Sequence, residues 1–461
     1  MRWALKFFWL SWLGKSRESW SVEPKKLVFA DKYYFTQMEE GMTDERSAPA
    51  GAVLVVGGGI SGLTAALEAA EVGKDVFLIE KNPYLGGRVA QLNQYFPKLC
   101  PPSCGLEINF QRIKSNRRVR VYTMTEVKSV TGGAGNYQVT LTTKPRYINN
   151  KCTACGACAE ACPDERVNDF NFGMNKSKAA YKPHDMAFPM KYVLDKDACS
   201  PAGLQAVKDA CIYDAVDLDM AAKEFTVDVS AIVWATGWNP YDPTKMTNLK
   251  YDSSNAIITN MMMERLAAPN GPTGGKILRP GDNKEPASFA FVQCAGSRDE
   301  NHLEYCSYIC CMASMKHINY IREQYPTAKI TVFYIDLRTP GKYEKFREKL
   351  MSDANITWVK GKVADIVAEA DGSVTLIAEN AVTGDKIKET VDLAILATGM
   401  EPAAKAQAAA LGLSVDRNGF ILADANGGMV SAGCAKKAAD VVTCGQSATA
   451  AAMKAIQASR R

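Results

Sequence analysis

The chain has 461 residues, of which 47% are hydrophobic and 23% charged, and a net charge of +5. That leaves room for two or three domains with real cores, and the charge is too mild, with no basic block or aromatic–basic interleaving, for a nucleic-acid surface. No run of about 18 apolar residues suggests a membrane-spanning helix, and fourteen cysteines, most of them clustered, without a convincing secretory signal, point to a reducing, cytoplasmic setting.

Residues 1–49 read as an extension. Their apolar and aromatic start, Met1 to Trp12, is short and interrupted by Lys6. It fits an interfacial or partner-binding segment, or an over-long start with Met42 opening the chain. The second reading is favoured because the segment carries no strand or helix pattern.

The first strong pattern is a βαβ unit. Residues 52–56 are an unbroken apolar run, as in a buried parallel strand. Gly57-Gly58-Gly59-Ile60-Ser61-Gly62 follows, then a helical stretch over 63–72 and a second strand over 75–79 that ends at Glu80 and Lys81. Gly57 suits a tight turn, Gly59 lets backbone approach a pyrophosphate, and Gly62 lets helix and strand pack closely. The helix N-terminus favours the phosphates, and Glu80 is placed to accept from ribose hydroxyls. FAD and NAD share this fingerprint. Gly86-Gly87-Arg88 tilts the choice to FAD, because it resembles the second glycine element of flavoproteins with two dinucleotide-binding domains. A glycine turn without a ligand would not need strand, helix and acid in register.

Cys100 and Cys104 follow, at about the distance of the redox disulfide in flavin disulfide reductases. Their three-residue gap is shorter than in those enzymes, and no histidine base lies near the C-terminus. They are read either as a flavin-linked thiol pair or as packing near the flavin. An alternating hairpin is expected over 120–144.

Cys152, Cys155, Cys158, Cys162 and Pro163 then give C-x2-C-x2-C-x3-C-P, the spacing of bacterial ferredoxins. Structural zinc usually pairs two separated CxxC units or adds histidines. Here His184, His302 and His317 are all remote in sequence. An iron–sulfur insert is expected over 151–217. In two-cluster ferredoxins the last cysteine of one motif serves the other cluster. By that rule Cys211 completes the set of Cys152, Cys155 and Cys158, leaving Cys162 and Cys199 as remnants of a lost second site. Cys162 as fourth ligand is the competing assignment.

Two apolar strands end alike, at Thr236-Gly237 and Thr398-Gly399, as in flavoproteins where the chain crosses between domains. Residues 240–286 read as loop and as a partner-facing surface, with Met261, Met262 and Met263 more suited to core. A second βαβ unit is expected from a strand over 288–294, a helix over 308–324 and a strand over 330–335. Its glycine loop is replaced by Cys294, Cys306, Cys310 and Cys311, so a nicotinamide pyrophosphate loses its seat. Four cysteines at a strand end and a helix start suit a second cluster; inert buried cysteines are the plainer alternative. A hairpin is expected over 363–380. Gly433 and Cys434 precede a small-residue helix over 445–458, placed as the segment that lies over the flavin ring in the same superfamily. Cys434 stands where those proteins carry Asp.

The glycine motifs, Gln91-Leu92, the ferredoxin-type run and Gln293-Cys294-Ala295-Gly296-Ser297-Arg298-Asp299 with its three later cysteines resemble the flavoprotein A subunit of heterodisulfide reductases from about residue 52 onward. The archaeal proteins are longer and carry more ferredoxin modules. The single degenerate module here is closer to the A subunits of quinone-interacting membrane-bound oxidoreductase (Qmo) complexes of sulfate reducers. The resemblance implies FAD, a [4Fe-4S] cluster on Cys294, Cys306, Cys310 and Cys311, and electron transfer between a membrane quinone pool and adenylylsulfate reductase. It implies partner subunits, one with flavin and iron–sulfur groups and one quinone-interacting in the membrane, so that this chain is peripheral.

The expected fold is α/β: a Rossmann-type FAD domain (50–150, 218–285 and 386–461), a ferredoxin-like [4Fe-4S] insert (151–217) and a second Rossmann-like domain (286–385). An electron-transfer role independent of NAD(P)H is favoured. A flavin thiol/disulfide oxidoreductase using Cys100 and Cys104, and a structural protein whose cofactors serve assembly, are the alternatives.

Overall fold

The computed structural model describes residues 51–424 and 428–460. The expectations for residues 1–49 lie outside them. The first parallel sheet runs, in order across it, Met429–Ser431, Ala231–Trp234, Val53–Val56, Val76–Glu80 and Val119–Thr123. Its three middle strands are buried along their whole length, which is why they read as unbroken apolar runs rather than alternating ones. Helix Ile60–Glu71 packs on this sheet and against the C-terminal helix Val441–Ala458. Ala65, Ala66, Ala69 and Ala70 on one helix and Ala448, Ala451, Ala452 and Ala455 on the other are all buried, and small residues of this kind let two axes close.

The hairpin Thr125–Gly133 and Asn136–Thr143 gains a third antiparallel strand, Lys223–Val229. The residues between, 144–222, therefore leave and re-enter the molecule at neighbouring strands. The neck is closed by Ile148 bridging Val216 and by hydrogen bonds from Asn149 N to Ala215 O (2.8 Å) and Asp217 N to Tyr147 O (3.0 Å). This insert has its own small core of Ala179, Ala180, Leu194 and Val207 with Cys158, Cys162 and Cys199.

The second parallel sheet runs Ile257–Thr259, Leu393–Thr398, Ser288–Ala295, Lys329–Tyr334 and Ile356–Lys360. The strands Val363–Ala368, Val374–Glu379 and Lys386–Val391 form an antiparallel sheet. Two short strands, Trp238–Pro240 and Met400–Pro402, pair antiparallel where the chain crosses between the two halves. The fold is thus α/β, two Rossmann-type halves with an insert, as the sequence suggests.

The domain limits need correction. Strands Ile257–Thr259 and Leu393–Thr398 pair with each other, and the latter pairs with Ser288–Ala295, so both belong to the second half, not the FAD half. The two Thr-Gly strand ends look the same in sequence because non-local pairing, not composition, decides which sheet each joins. The stretch 240–286 is also not a loop throughout. Its middle forms strand Ile257–Thr259 and helix Asn260–Ala267, every residue of which is buried. The Thr259 side chain accepts from Met262 N at 3.3 Å and starts that helix, a signal hidden by the flanking Pro and Gly. Met261, Met262 and Met263 are core.

Candidate dinucleotide cavity and cysteine centres

A cavity of about 550 Å³ opens at the C-terminal end of the first sheet and extends to the second half. Gly57, φ 110°, turns the chain out of the first strand, a conformation that favours glycine. A Cβ on Gly62 would lie 1.7 Å from Gly57 O, so helix and turn touch. At Gly59, by contrast, a Cβ would meet nothing nearer than 3.8 Å, and Gly59 faces the cavity. Helix Ile60–Glu71 has no side-chain cap and no acid in its first turn. Its positive end and free N–H groups are therefore left for an anion. Gly86-Gly87-Arg88 docks on this loop, with Gly86 N donating to Gly58 O (2.8 Å).

Glu80 Oε2 accepts from Gly58 N (2.7 Å), and Oε1 from Asn82 N and Nδ2 (both 2.8 Å). The buried carboxyl thus braces the glycine loop while also lining the cavity. Burial pushes its pKa up against those hydrogen bonds. Ile60, Ser61, Lys81, Gly87, Arg88, Thr236, Gly237 and Cys434 line the cavity too. Arg88 is held by Trp238 O, Gln91 Oε1 and Asn239 Oδ1 at 2.8–3.2 Å. Thr236 Oγ1 is buried with no partner, which a ligand hydroxyl or ring carbonyl would supply. The glycine cradle, uncapped helix end and orphaned hydroxyl fit a flavin dinucleotide.

Not every expected residue reaches the cavity. Gly433, φ 58°, lies just behind the wall, its N–H donating to Ser447 Oγ (3.1 Å). Thr398 and Gly399 sit elsewhere. Thr398 O accepts from Asn260 Nδ2 (3.2 Å) and from Cys310 Sγ (3.7 Å), and Gly399 packs on Ser297 and Ser307. They support the second cysteine set rather than the dinucleotide. The end of the cavity toward the second half holds a group that the sequence reading missed. Glu264 Oε1 accepts from His317 Nε2 (2.6 Å) and Lys316 Nζ (2.7 Å), and Oε2 from Asn93 N (2.9 Å). All three charged or titratable side chains are buried and line the cavity. Burial would raise Glu264, but the Lys316 ammonium above all brings it down to about 2. Burial lowers His317, so its neutral ring donates from Nε2, and Nδ1 is left without a partner. No sequence motif marks this triad, because its members come from two helices far apart along the chain.

Cys152, Cys155, Cys158 and Cys211 line one small cavity of about 20 Å³ in the insert. Ala154 and Gly156 both take positive φ, 57° and 95°, curling the loop so that Ala154 N donates to Cys152 Sγ (3.4 Å), while Ala215 N donates to Cys211 Sγ (3.3 Å). Cys158 is pushed up to about 12 by burial and then by Cys152, which favours thiolates only if a cation is present. Cys162 is turned away. Its Sγ lies 3.5 Å from Asp164 O, and Cys199 Sγ lies 3.5 Å from Asp164 Oδ2.

The second set stands at the end of the second half's central strand. Cys294 has φ 57°, and Gly296, Arg298 and Tyr308 are also positive. Cys310 and Cys311 open helix Cys310–Gln324, which has no side-chain cap. Tyr308 N donates to Cys306 Sγ (3.3 Å). Burial, then Cys311, raises both Cys294, to about 11, and Cys310, which places the sulfurs within each other's field. Arg298 and Arg338 flank the set, both held on Asp336 (2.5 and 3.4 Å). Among the described residues no three His, Cys, Asp or Glu side chains close on a point as a single ion requires. Cys100 and Cys104 do not line the large cavity; they lie beside its rim residue Tyr95, and Cys104 is exposed.

Residues 52–114 match the FAD dependent oxidoreductase family and residues 145–165 the 4Fe-4S binding domain, which supports FAD and an iron–sulfur cluster. The chain is 38% identical over 375 residues to an iron-sulfur A subunit of the CoB-CoM heterodisulfide reductase of Methanopyrus kandleri, covering 80% of this chain and 57% of that one. It is 35% identical over 374 residues to the A subunit of the H(2):CoB-CoM heterodisulfide,ferredoxin reductase of Methanothermobacter marburgensis, covering 80% and 56%. The chain therefore spans little more than half the length of these curated relatives. Thioredoxin reductase from Lactococcus lactis has a similar fold (TM-score 0.50, 12% identity, 89% of this chain and 99% of that one), as does that of T. acidophilum (TM-score 0.50, 13% identity, 89% and 98%). Over four fifths of its length, the chain is thus homologous to heterodisulfide reductase A subunits, matching little more than half of each.

Proposed function

We propose that this chain is an electron-transfer oxidoreductase component holding one FAD and two [4Fe-4S] clusters, on Cys152, Cys155, Cys158 and Cys211 and on Cys294, Cys306, Cys310 and Cys311. One observation carries the reading. Tyr308, Ile309 and Met312 line the dinucleotide cavity, and they belong to the same segment that bears Cys306, Cys310 and Cys311. A cluster there would share a wall with the flavin.

FAD supplies the exchange between two-electron and one-electron carriers. The chain's residues hold the site in place. The glycine loop and helix end bind the phosphates, and Glu80 braces that loop. Arg88 ties Trp238 and Asn239 of the crossing segment to the wall. Glu264 fixes Lys316 and His317, keeping a positive charge and a neutral imidazole at the cavity. Backbone N–H groups on Cys152, Cys211 and Cys306, with Arg298 and Arg338 near the second set, stabilise negative charge on sulfur and so tune potential.

Within this reading, the chain moves electrons between a membrane quinone pool and adenylylsulfate reductase. Its sister subunits would be a second flavin and iron–sulfur protein and a quinone-interacting membrane protein. No described helix is long and apolar enough to cross a membrane, and the membrane protein would hold this chain at the cytoplasmic face. Anaerobic purification of the native assembly tests the cofactor content, with flavin, iron and sulfide assays on this chain. About one FAD and eight irons are expected from two cubanes; a yellow, iron-free chain would overturn the reading. Photoreduction should move electrons from flavin to clusters.

A further inference from the structure

The cavity wall contains a pair of cysteines that the cluster assignments leave unused. Cys434 follows strand Met429–Ser431, and Cys444 lies in the first turns of helix Val441–Ala458. Their sulfurs are 3.5 Å apart. They are 6% and 5% exposed, and both line the dinucleotide cavity. Met400 and Ala439, with Ile60, Trp238 and Ile309, pack around them, shielding the pair from thiols in bulk solvent. Cys444 O lies 3.5 Å from Ser61 Oγ, in the first turn of the helix that faces the phosphates. The pair therefore lines the dinucleotide cavity and shares no residue with either cysteine set.

We propose that Cys434 and Cys444 form a redox-active dithiol/disulfide that exchanges two electrons with the flavin. This rests on the flavin reading above. In the oxidising direction for sulfur, two S–H bonds break and one S–S bond forms. The electron pair goes to oxidised flavin with one proton, giving the anionic hydroquinone, and the second proton leaves to solvent. The reverse step consumes the hydroquinone and one solvent proton and restores two thiols. Sulfurs already in contact need only a small displacement to bond. The position of Cys444 near a helix N-terminus favours the thiolate that such exchange requires, and its pKa is lowered by the hydrogen bond from Cys434. The pair would store two electrons beside a flavin that feeds one-electron carriers.

The test is differential alkylation with peptide mass spectrometry on the native assembly, poised anaerobically at a series of potentials, with flavin absorbance followed in parallel. The expected result is a Cys434–Cys444 cross-linked peptide when the flavin is oxidised and two alkylated thiols when it is reduced. Reductive titration of the wild type should consume two electrons per chain more than Cys444→Ser or Cys434→Ala, each checked for wild-type flavin and iron content. Two free thiols at every poise, a cross-link at every poise, or equal electron counts would overturn the proposal. If the assembly contains no flavin, the functional reading fails first. Flavin present with thiols that never change sinks only this pair.

Discussion

At single side chains, the geometry sorts the insert's six cysteines into two groups. Cys211 shares a small cavity with Cys152, Cys155 and Cys158, whereas Cys162 and Cys199 gather on Asp164. Cys211→Ser should lower iron from about eight to about four per chain, and Cys162→Ser should leave it near eight, as measured by iron and sulfide assay with electron paramagnetic resonance. The rule for exchanging the fourth cysteine made the grouping of Cys211 with Cys152, Cys155 and Cys158 legible in the sequence. The Glu264–Lys316–His317 group was not, because a buried ion pair leaves no periodic trace. Glu264→Gln strands the Lys316 cation in a buried site, and breaking such a pair costs about 3–5 kcal/mol, read as a lower urea midpoint. His317 adds a pH dependence. Burial holds its folded pKa below 6.5, so the unfolded chain takes up a proton that the folded chain refuses. Stability is full above about 6.5 and falls as pH drops below it. His317→Gln keeps a donor for Glu264 without titrating. Its urea midpoint should fall less between pH 7 and 5.5 than that of the wild type.

Elements were legible wherever sequence repeats its own geometry. The strand–glycine–helix–strand run of the first half lies where its spacing puts it, with helix Ile60–Glu71 beginning at the glycine loop itself. The strand Ile257–Thr259 and helix Asn260–Ala267 were lost among Pro and Gly, because so short a helix cannot show its period against such flanks. The three-stranded sheet Val363–Ala368, Val374–Glu379 and Lys386–Val391 was half seen: its third strand pairs with the second across a similarly short turn, but most of its residues are exposed or only partly buried, so it carries no apolar run. Within the βαβ unit two glycines do different work, and the difference is measurable. Gly62→Ala drives a Cβ to 1.7 Å from Gly57 O, while a Cβ at Gly59 meets only Gly87 Cα, at an unstrained 3.8 Å. Gly62→Ala should lose flavin together with a large drop in thermal midpoint. Gly59→Ala should keep the stability of the flavin-free chain within about 0.5 kcal/mol of wild type yet weaken FAD by about tenfold or more, because its methyl stands where pyrophosphate must approach. Flavin fluorescence titration with parallel thermal unfolding separates the two.

Across the whole molecule, two similar halves have diverged at equivalent strand ends. After Val53–Val56 the chain turns on Gly57 and leaves an uncapped helix for phosphate. At the end of Ser288–Ala295 it turns through Cys294 and Gly296, and the following helix starts on Cys310 and Cys311. The same device, a left-handed residue and free helix N–H groups, faces the large cavity in one half and four cysteine sulfurs in the other. That substitution was readable from the missing glycine triplet. What was not readable is that the second half's cysteine segment also walls the dinucleotide cavity, since that depends on how Trp238–Pro240 pairs with Met400–Pro402. The consequence is a prediction about where electrons enter. Without a glycine cradle in the second half, nothing there lets a nicotinamide pyrophosphate reach backbone. NADH or NADPH added anaerobically to the assembly should therefore leave the visible flavin absorbance unchanged on the timescale of turnover. Light-driven reduction of the same flavin should then bleach the clusters in sequence. Fast bleaching by either nicotinamide would mean that the second half still binds nucleotide, and that its four cysteines serve something other than the one-electron path out of the flavin.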